Sequence, residues 1–324
     1  MTHMLSRTAD HLFWMARYME RAENTARMLD VNYQTSLLPQ SADTAEQGWR
    51  GLLSISELTW SFSKKYQEVS AGAVMDFMVR DATNPSSILA CLRAARENAR
   101  AVRGALTTEV WETQNQTWLE FNRLLSGDTF ERDPSSLFEW VKFRSHLSRG
   151  VTVGTMLQDE ALHFLRIGTF LERADNTARL LDVKFQALAG GDDFGPGSAQ
   201  ADMEVDFYHW SAILRSVSGF EIYRKVYRNV IHPAKVAELL ILRPDMPRSL
   251  AACMNDVVDN LEMVSNQQSD ETLRRAGRLR SDLQYGRIDE ILATGLHAYL
   301  TEFLDRVNDL GIGISRDFLV PMAA

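Results

Sequence analysis

The stretches YMERAENTARMLDV (Tyr18–Val31) and FLERADNTARLLDV (Phe170–Val183) write nearly the same sentence twice, at an offset of 152 residues. Both keep Glu-Arg, then Asn-Thr-Ala-Arg, then Asp. The spacing around the first copy decides the fold. Leu12, Met15, Met19, Ala22, Ala26, Leu29 and Tyr33 step by three and four residues, a stripe that lines up on an α-helix. Period-two alternation, the mark of a half-buried strand, is scarce along the chain. The expectation is an all-α protein whose first helix has Ser6 or Thr8 capping its start.

The match runs beyond the opening motif. His11–Gln34 lies over His163–Gln186 with half the positions identical. WRGLLSISE at Trp49 lies over WSAILRSVS at Trp210, and PSSILACL at Pro85 over PRSLAACM at Pro247, which sets Cys91 over Cys253. The order is the same in both halves. The chain therefore reads as an internal duplication: residues 1–150 form a first helical-bundle half and 151–324 a second, packed by analogy with approximate two-fold symmetry. Helices are expected near 43–63, 69–81, 85–105, 108–126 and 135–148, and a second long one from Leu157 to Ala189. Asn84-Pro85-Ser86 reads as a helix start. The seam is placed in SHLSRGVTVGTM, where Gly150 and Gly154 interrupt the pattern. AGGDDFGPGSA (Ala189–Ala199) reads as an acidic loop and lacks the Gly-Lys-Ser/Thr of a phosphate loop.

Bulk properties narrow the function. A net charge of -8 argues against nucleic acid as a partner, because binding phosphates needs a basic surface. With 45% hydrophobic and 24% charged residues, a packed core is expected rather than disorder. No run of 18 apolar residues suggests a membrane span. MTHMLSRTAD has no apolar signal core, and Met4 reads as an alternative start. Cys91 and Cys253 sit on apolar helical stripes, so the expectation is two reduced, inert thiols in a cytoplasmic protein.

On a helical wheel Glu20, Asn24 and Arg27 fall opposite the apolar stripe. Glu23 and Asp30 stand at one border, Arg17 and Arg21 at the other. The second copy repeats this with Glu172, Arg173, Asp175, Asn176, Arg179 and Asp182, but has Thr169 for Arg17 and Arg166 for Trp14. The candidate binding or polar-network residues are thus Glu20, Arg21, Glu23, Asn24, Arg27, Asp30 and these six. The plain reading is helix support, with Glu23–Arg27 and Arg27–Asp30 ion pairs each contributing about 0.2–0.5 kcal/mol, on a solvated face or in a buried network where the halves meet. The sharper reading is a paired site. Glu20 and Glu172 would then approach one another and raise one pKa for acid/base chemistry or cation binding. Alternatively, Arg21, Arg27, Arg173 and Arg179 would grip a carboxylate or phosphate. No catalytic residue is assigned.

MLSRTADHLFWMARYMERAENTARMLDV, DEALHFLRIGTFLERADNTARLLD and RPDMPRSL together resemble the bacterial alpha-E domain family, all-helical proteins named for a Glu-Arg motif. Glu20-Arg21 and Glu172-Arg173 match that motif, and the resemblance covers almost the full chain. It implies a setting rather than a reaction. Family genes sit beside, or are fused to, circularly permuted ATP-grasp ligases, often near transglutaminase-like proteases. The implied role is a non-catalytic helical partner or scaffold in an amide-ligase, peptide-modification system. It would hold a ligase, a transglutaminase-like protease or a peptide substrate. The alternatives are an enzyme acting on a peptide or carboxylate with the paired motifs, and a purely structural or oligomerising module.

Other chemistry finds little support in the sequence. Glu160 and His163 have the spacing of half a di-iron pair, but Thr8 stands where a second Glu would be needed, so no metal and no cofactor is expected. There is no G-x-S-x-G elbow and no dinucleotide fingerprint on a strand. Trp14, Tyr18, Trp49, Trp60, Trp111, Trp118 and Trp210 are read as core. Arg96, Arg100 and Arg103 form a local basic face that reads as solvated.

Overall fold

The computed structural model describes residues 4–189 and 200–319. Sixteen α-helices and no strand occur among them. The first eight are α1 (Ser6–Ser36), α2 (Ala42–Ile55), α3 (Thr59–Ser63), α4 (Ala71–Val79), α5 (Ile88–Ala101), α6 (Thr108–Ser126), α7 (Thr129–Arg132) and α8 (Pro134–Thr155). The next eight are α9 (Glu160–Ala189), α10 (Gln200–Ser216), α11 (Phe220–Tyr227), α12 (Pro233–Ile241), α13 (Leu250–Met263), α14 (Asp270–Tyr285), α15 (Ile288–Thr294) and α16 (Leu296–Ile314). No described helix is long and apolar enough to cross a membrane. The acidic glycine-rich segment at 190–199 lies outside the described residues.

α1 and α9 form the spine. α1 packs on α5, α8 and α9, while α9 packs on α13, α16 and α1. The second helices cross over: α2 also packs on α9, and α10 on α1. Each long helix therefore has neighbours on every side, and its apolar stripe disappears into one continuous core with Leu12, Ala22, Ala26 and Leu29 at 0% exposure. The spine can be this tight because α1 and α9 cross at small residues. A Cβ on Gly168 would lie 2.3 Å from the Phe13 carbonyl oxygen and 3.3 Å from the Ala16 Cβ, so only glycine permits this approach.

Some helix ends differ from expectation. α1 is not capped by Ser6 or Thr8; its N-cap is Leu5, which makes no side-chain cap bond. The 43–63 stretch is two helices, parted at Glu57, whose φ of 56° takes the backbone out of the helix. Asn84-Pro85-Ser86 is a turn, with the Asn84 side chain accepting from Ser86 N at 3.0 Å, and α5 starts after the Ser87 cap. Ser249 caps α13 in the same way. α8 runs through Gly150 and Gly154, which face open space, to Thr155. The break comes at 156–159 instead. Trp49 and Trp210 are core, but Trp60 is 69% exposed, with Lys64 over its ring. The Arg96–Arg103 face is partly engaged, as Arg96 bonds Asn115 and Glu97 and Arg103 lies over Trp111.

Candidate functional site

One turn beyond the Ala16/Gly168 crossing, each long helix presents its Glu-Arg pair to the other. Arg21 Nε donates to Glu172 Oε1 at 2.5 Å and Nη2 to Oε2 at 3.0 Å. Arg173 Nε donates to Glu20 Oε1 at 2.9 Å and Nη2 to Oε2 at 3.0 Å. The pairing is reciprocal, two forked guanidinium–carboxylate contacts across one helix crossing. That geometry explains why Glu and Arg are neighbours in both copies: adjacent residues on a helix point about 100° apart, so one can receive while the other donates.

The carboxylates are not solvated. Glu20 is 1% exposed, Glu23 0% and Glu172 5%. Around Glu20 and Glu23 the fold gathers further cations. Arg248, in the turn before α13, donates to Glu20 at 2.9 Å and to Asn24 Oδ1 at 2.8 Å, and it also grips Glu23. Arg149 of α8 reaches Glu20 at 3.0 Å and Glu23 at 2.5 Å. Arg27 holds Glu23 from one turn along α1, at 2.8 Å, and Ser145 donates to Glu23 at 2.7 Å. Arg27 also donates to Ser218 at 2.5 Å. His146 faces Arg27 with one ring nitrogen and Arg149 with the other.

Around Glu172 the surroundings are simpler. Arg17 adds one bond at 2.7 Å. Arg179 is forked onto Asp175, at 2.8 and 3.2 Å, and pairs with Glu57. Asp182 accepts from His297 at 2.7 Å. Asn176 makes no hydrogen bond among the described residues.

Electrostatics fixes the protonation states. Burial pushes the Glu172 carboxyl up, but Arg17 and Arg21 outweigh it and bring it down to about 2. Burial likewise opposes Glu20 and Glu23, and Arg173 and Arg248 hold the first, with Arg248, Arg149 and Arg27 the second, below the ordinary range. Burial lowers His146 below its usual value despite the pull of Glu23, so it is neutral near pH 7. Cys91 and Cys253 lie fully buried behind the two crossed pairs, and burial pushes both thiols up to about 12.

Three sequence expectations are corrected here. The motif is not a solvated face, because α5, α8, α9 and the 242–249 turn cover it. Arg27 does not pair with Asp30; Asp30 is taken by Lys142 and Ser135, both at 2.8 Å, from α8. Glu20 and Glu172 do not share a proton, because each is neutralised by the other helix's Arg. Among the described residues no group of three or more His, Cys, Asp or Glu is placed to hold a metal ion; Glu160 accepts from Met4 N and His163 faces Asn260. Sequence reasoning missed Arg149, Arg248 and Ser145. The available signals were faint: Arg248 sits in RPDMPRSL, where the first half has Ser86, and Arg149 sits in the stretch read as a seam.

A family model described as a predicted α-helical domain with a conserved ER motif matches residues 4–319. The chain belongs to the Alpha-E family. Its Glu-Arg motif is the reciprocal lock at the centre of the spine. An uncharacterized protein of Mycobacterium bovis and two of Mycobacterium tuberculosis are each 24% identical to this Alpha-E chain over 326 aligned residues. The alignments cover 92% of this chain but 35% of each relative, so the chain spans about a third of the length of the curated relatives it matches. No solved structure matches it.

Proposed function

We propose that this chain is a non-catalytic helical binding module of an amide-ligase system, built by tandem duplication, in which the two Glu-Arg motifs lock the halves together. The observation that carries the reading is the saturation of the motif carboxylates. The three glutamates, Glu20, Glu23 and Glu172, are each buried and held by at least two guanidinium groups, while Asp175 takes Arg179 alone, Asp30 takes Lys142 and Asp182 takes His297. A general acid needs a proton to give near neutral pH and a general base a free lone pair facing substrate. Glu172 at about 2 offers neither, and Glu20 and Glu23 are lowered by the same cause.

Matched contacts support the duplication. α1 packs on α5 and α8 as α9 packs on α13 and α16, and α5 packs on α6 as α13 packs on α14. His11 faces Asn98 at 2.7 Å as His163 faces Asn260 at 2.8 Å. Glu57 and Ser218, which bind Arg179 and Arg27, have φ of 56° and 52°. The ligase setting comes from the family resemblance, and it fits a module that in its relatives is one part of a chain almost three times as long.

The test is calorimetric titration of this chain with a circularly permuted ATP-grasp ligase encoded in the same genome, alongside assays of ATP-dependent amide formation. Saturable binding, with no turnover by the helical chain alone, is the expected result. Amide formation or hydrolysis by this chain alone, lost in Glu20→Gln, would establish the enzyme reading in its place.

A further inference from the structure

The two motif regions carry different charge. Around Glu172, three carboxylates (Glu172, Asp175, Glu57) are ion-paired to three guanidinium groups (Arg17, Arg21, Arg179). Around Glu20, two carboxylates (Glu20, Glu23) are ion-paired to four guanidinium groups (Arg27, Arg149, Arg173, Arg248). The second group has a surplus of two positive charges, and His146 beside it is neutral near pH 7.

That surplus opens onto a cleft of about 120 Å³ between α1, α8 and α9. Its walls are Met15, Met19, Leu162, Leu165 and Phe170, with Val153 at the rim. Its polar side is Arg149 and Arg166, over the saturated Glu20. Arg166 makes no hydrogen bond or ion pair among the described residues; it acts on Asp256 only through space. A half-buried guanidinium with no partner, next to a surplus of charge, lacks an anion.

The counterpart cleft, lined by α1, α9 and α16, is an internal control. There Trp14 stands in place of Arg166, Gly311 in place of Arg149, and Arg17 in place of Thr169. Arg17 is committed to Glu172 and lies 5.0 Å from the Trp14 ring centre, and Asp175 faces in. That cleft has no uncommitted cation to take an anion, and its Asp175 is already forked onto Arg179.

We propose that the cleft at Arg149 and Arg166 binds a carboxylate borne on a single apolar group, such as the C-terminal residue of a peptide. A closed cavity near 150 Å³ holds a benzene ring, so an open cleft of about 120 Å³ takes one leucine-sized group, or a phenyl ring with its edge at the rim, and not a drug-sized molecule. The apolar walls take the side chain and the two guanidinium groups take the carboxylate. This assignment stands on the cleft alone and does not depend on the ligase association.

Calorimetric titration tests it, using N-acetylphenylalanine, its amide, N-acetylglycine, 3-phenylpropionate and phenyl phosphate as probes. N-acetylphenylalanine should bind, with the amide and N-acetylglycine each weaker by about tenfold or more, the loss expected for one charge-assisted contact or one apolar group. A phenylpropionate affinity well below that of N-acetylphenylalanine identifies a peptide terminus; equal affinity identifies a free acid. Arg166→Gln, which breaks no contact in the fold, and Val153→Glu, at a 59% exposed position, should each weaken binding by about tenfold or more while thermal melts stay unchanged. Arg166→Trp, which installs the counterpart's residue, should do the same. The proposal is overturned if the amide binds as well as the acid, if phenyl phosphate binds tighter than phenylpropionate, if Arg166→Gln binds like the native chain, or if no probe binds at millimolar concentration.

Discussion

Glu20 and Glu172 occupy matched positions on matched helices, yet they live in different surroundings. Both accept a forked Arg from the opposite helix. Glu172 adds only Arg17, and its two arginines keep 18% and 27% side-chain exposure. Glu20 adds Arg248 and Arg149, and its closest partners, Arg173 and Arg248, are 8% and 7% exposed. The shared part, the crossed Glu-Arg grip, is what holds the spine. The unshared part, Arg248 and Arg149 at positions where the other half has Ser86 and Gly311, is what makes one side cationic. Both motif copies share the lock, and the one at Glu20 lies beside the more cationic cleft.

Glu20→Ala tests that contrast hardest. It strands Arg173 and Arg248 in the interior, and breaking a buried ion pair from one side costs about 3–5 kcal/mol. Glu172→Ala leaves two arginines that can turn toward water, so a loss of about 1–3 kcal/mol is expected. Denaturant midpoints read both. Equal losses would mean the extra cations around Glu20 contribute nothing to stability.

Acid titration comes next. The Glu172 carboxyl is brought from the ordinary 4.5 to about 2 in the folded protein. A depressed carboxyl stabilises the fold fully above its unfolded value, and that stability is lost as pH falls from 4.5 towards 2, amounting to about 3 kcal/mol. Equilibrium unfolding across this window should show the slope, and Glu172→Gln should flatten it. An unchanged slope in that variant would assign the acid sensitivity to other groups, with Glu20 and Glu23 first among them.

Gly168→Ala probes the crossing itself. The new methyl would press on the Phe13 carbonyl at 2.3 Å, and over-packing of this kind costs about 1–3 kcal/mol. The reverse change at the matched position, Ala16→Gly, removes a methyl and collides with nothing, so its effect should stay near the helix-propensity cost of about 1 kcal/mol. Thermal melts of the two variants compare them directly.

The smallest effect concerns the thiols. Native Cys91 and Cys253 should resist alkylation, since both are buried and pushed up to about 12. In mild denaturant Cys91 should label first, because it lies behind the lighter Arg21–Glu172 pair. Mass spectrometry of partly labelled protein resolves the order, and Cys253 reacting first would reverse the ranking of the two regions.

Much of the architecture was legible from local pattern. The stripe from Leu12 to Tyr33, the bounds of the 108–126 helix and the buried Cys91 and Cys253 all follow from 3.6-residue periodicity, which is a property of neighbouring residues. The repeated sentence itself named Glu20, Arg21, Glu172 and Arg173. What periodicity could not reveal was whether the face opposite the stripe meets water or protein. A helical wheel is the same in both cases, and only the packing of α5, α8 and α9 around α1 decided that Glu23 is 0% exposed. Nor could it say who pairs with whom. Arg27 and Asp30 are three residues apart, yet Asp30 is held by Lys142, 112 residues away, and Glu20 by Arg248, 228 residues away. Sequence determined the helices and the residues of the lock, because local spacing encodes them. The tertiary fold alone decided the partners, the buried charge surplus and the cleft beside it, because a guanidinium pairs with whichever carboxylate the packed helices bring within reach.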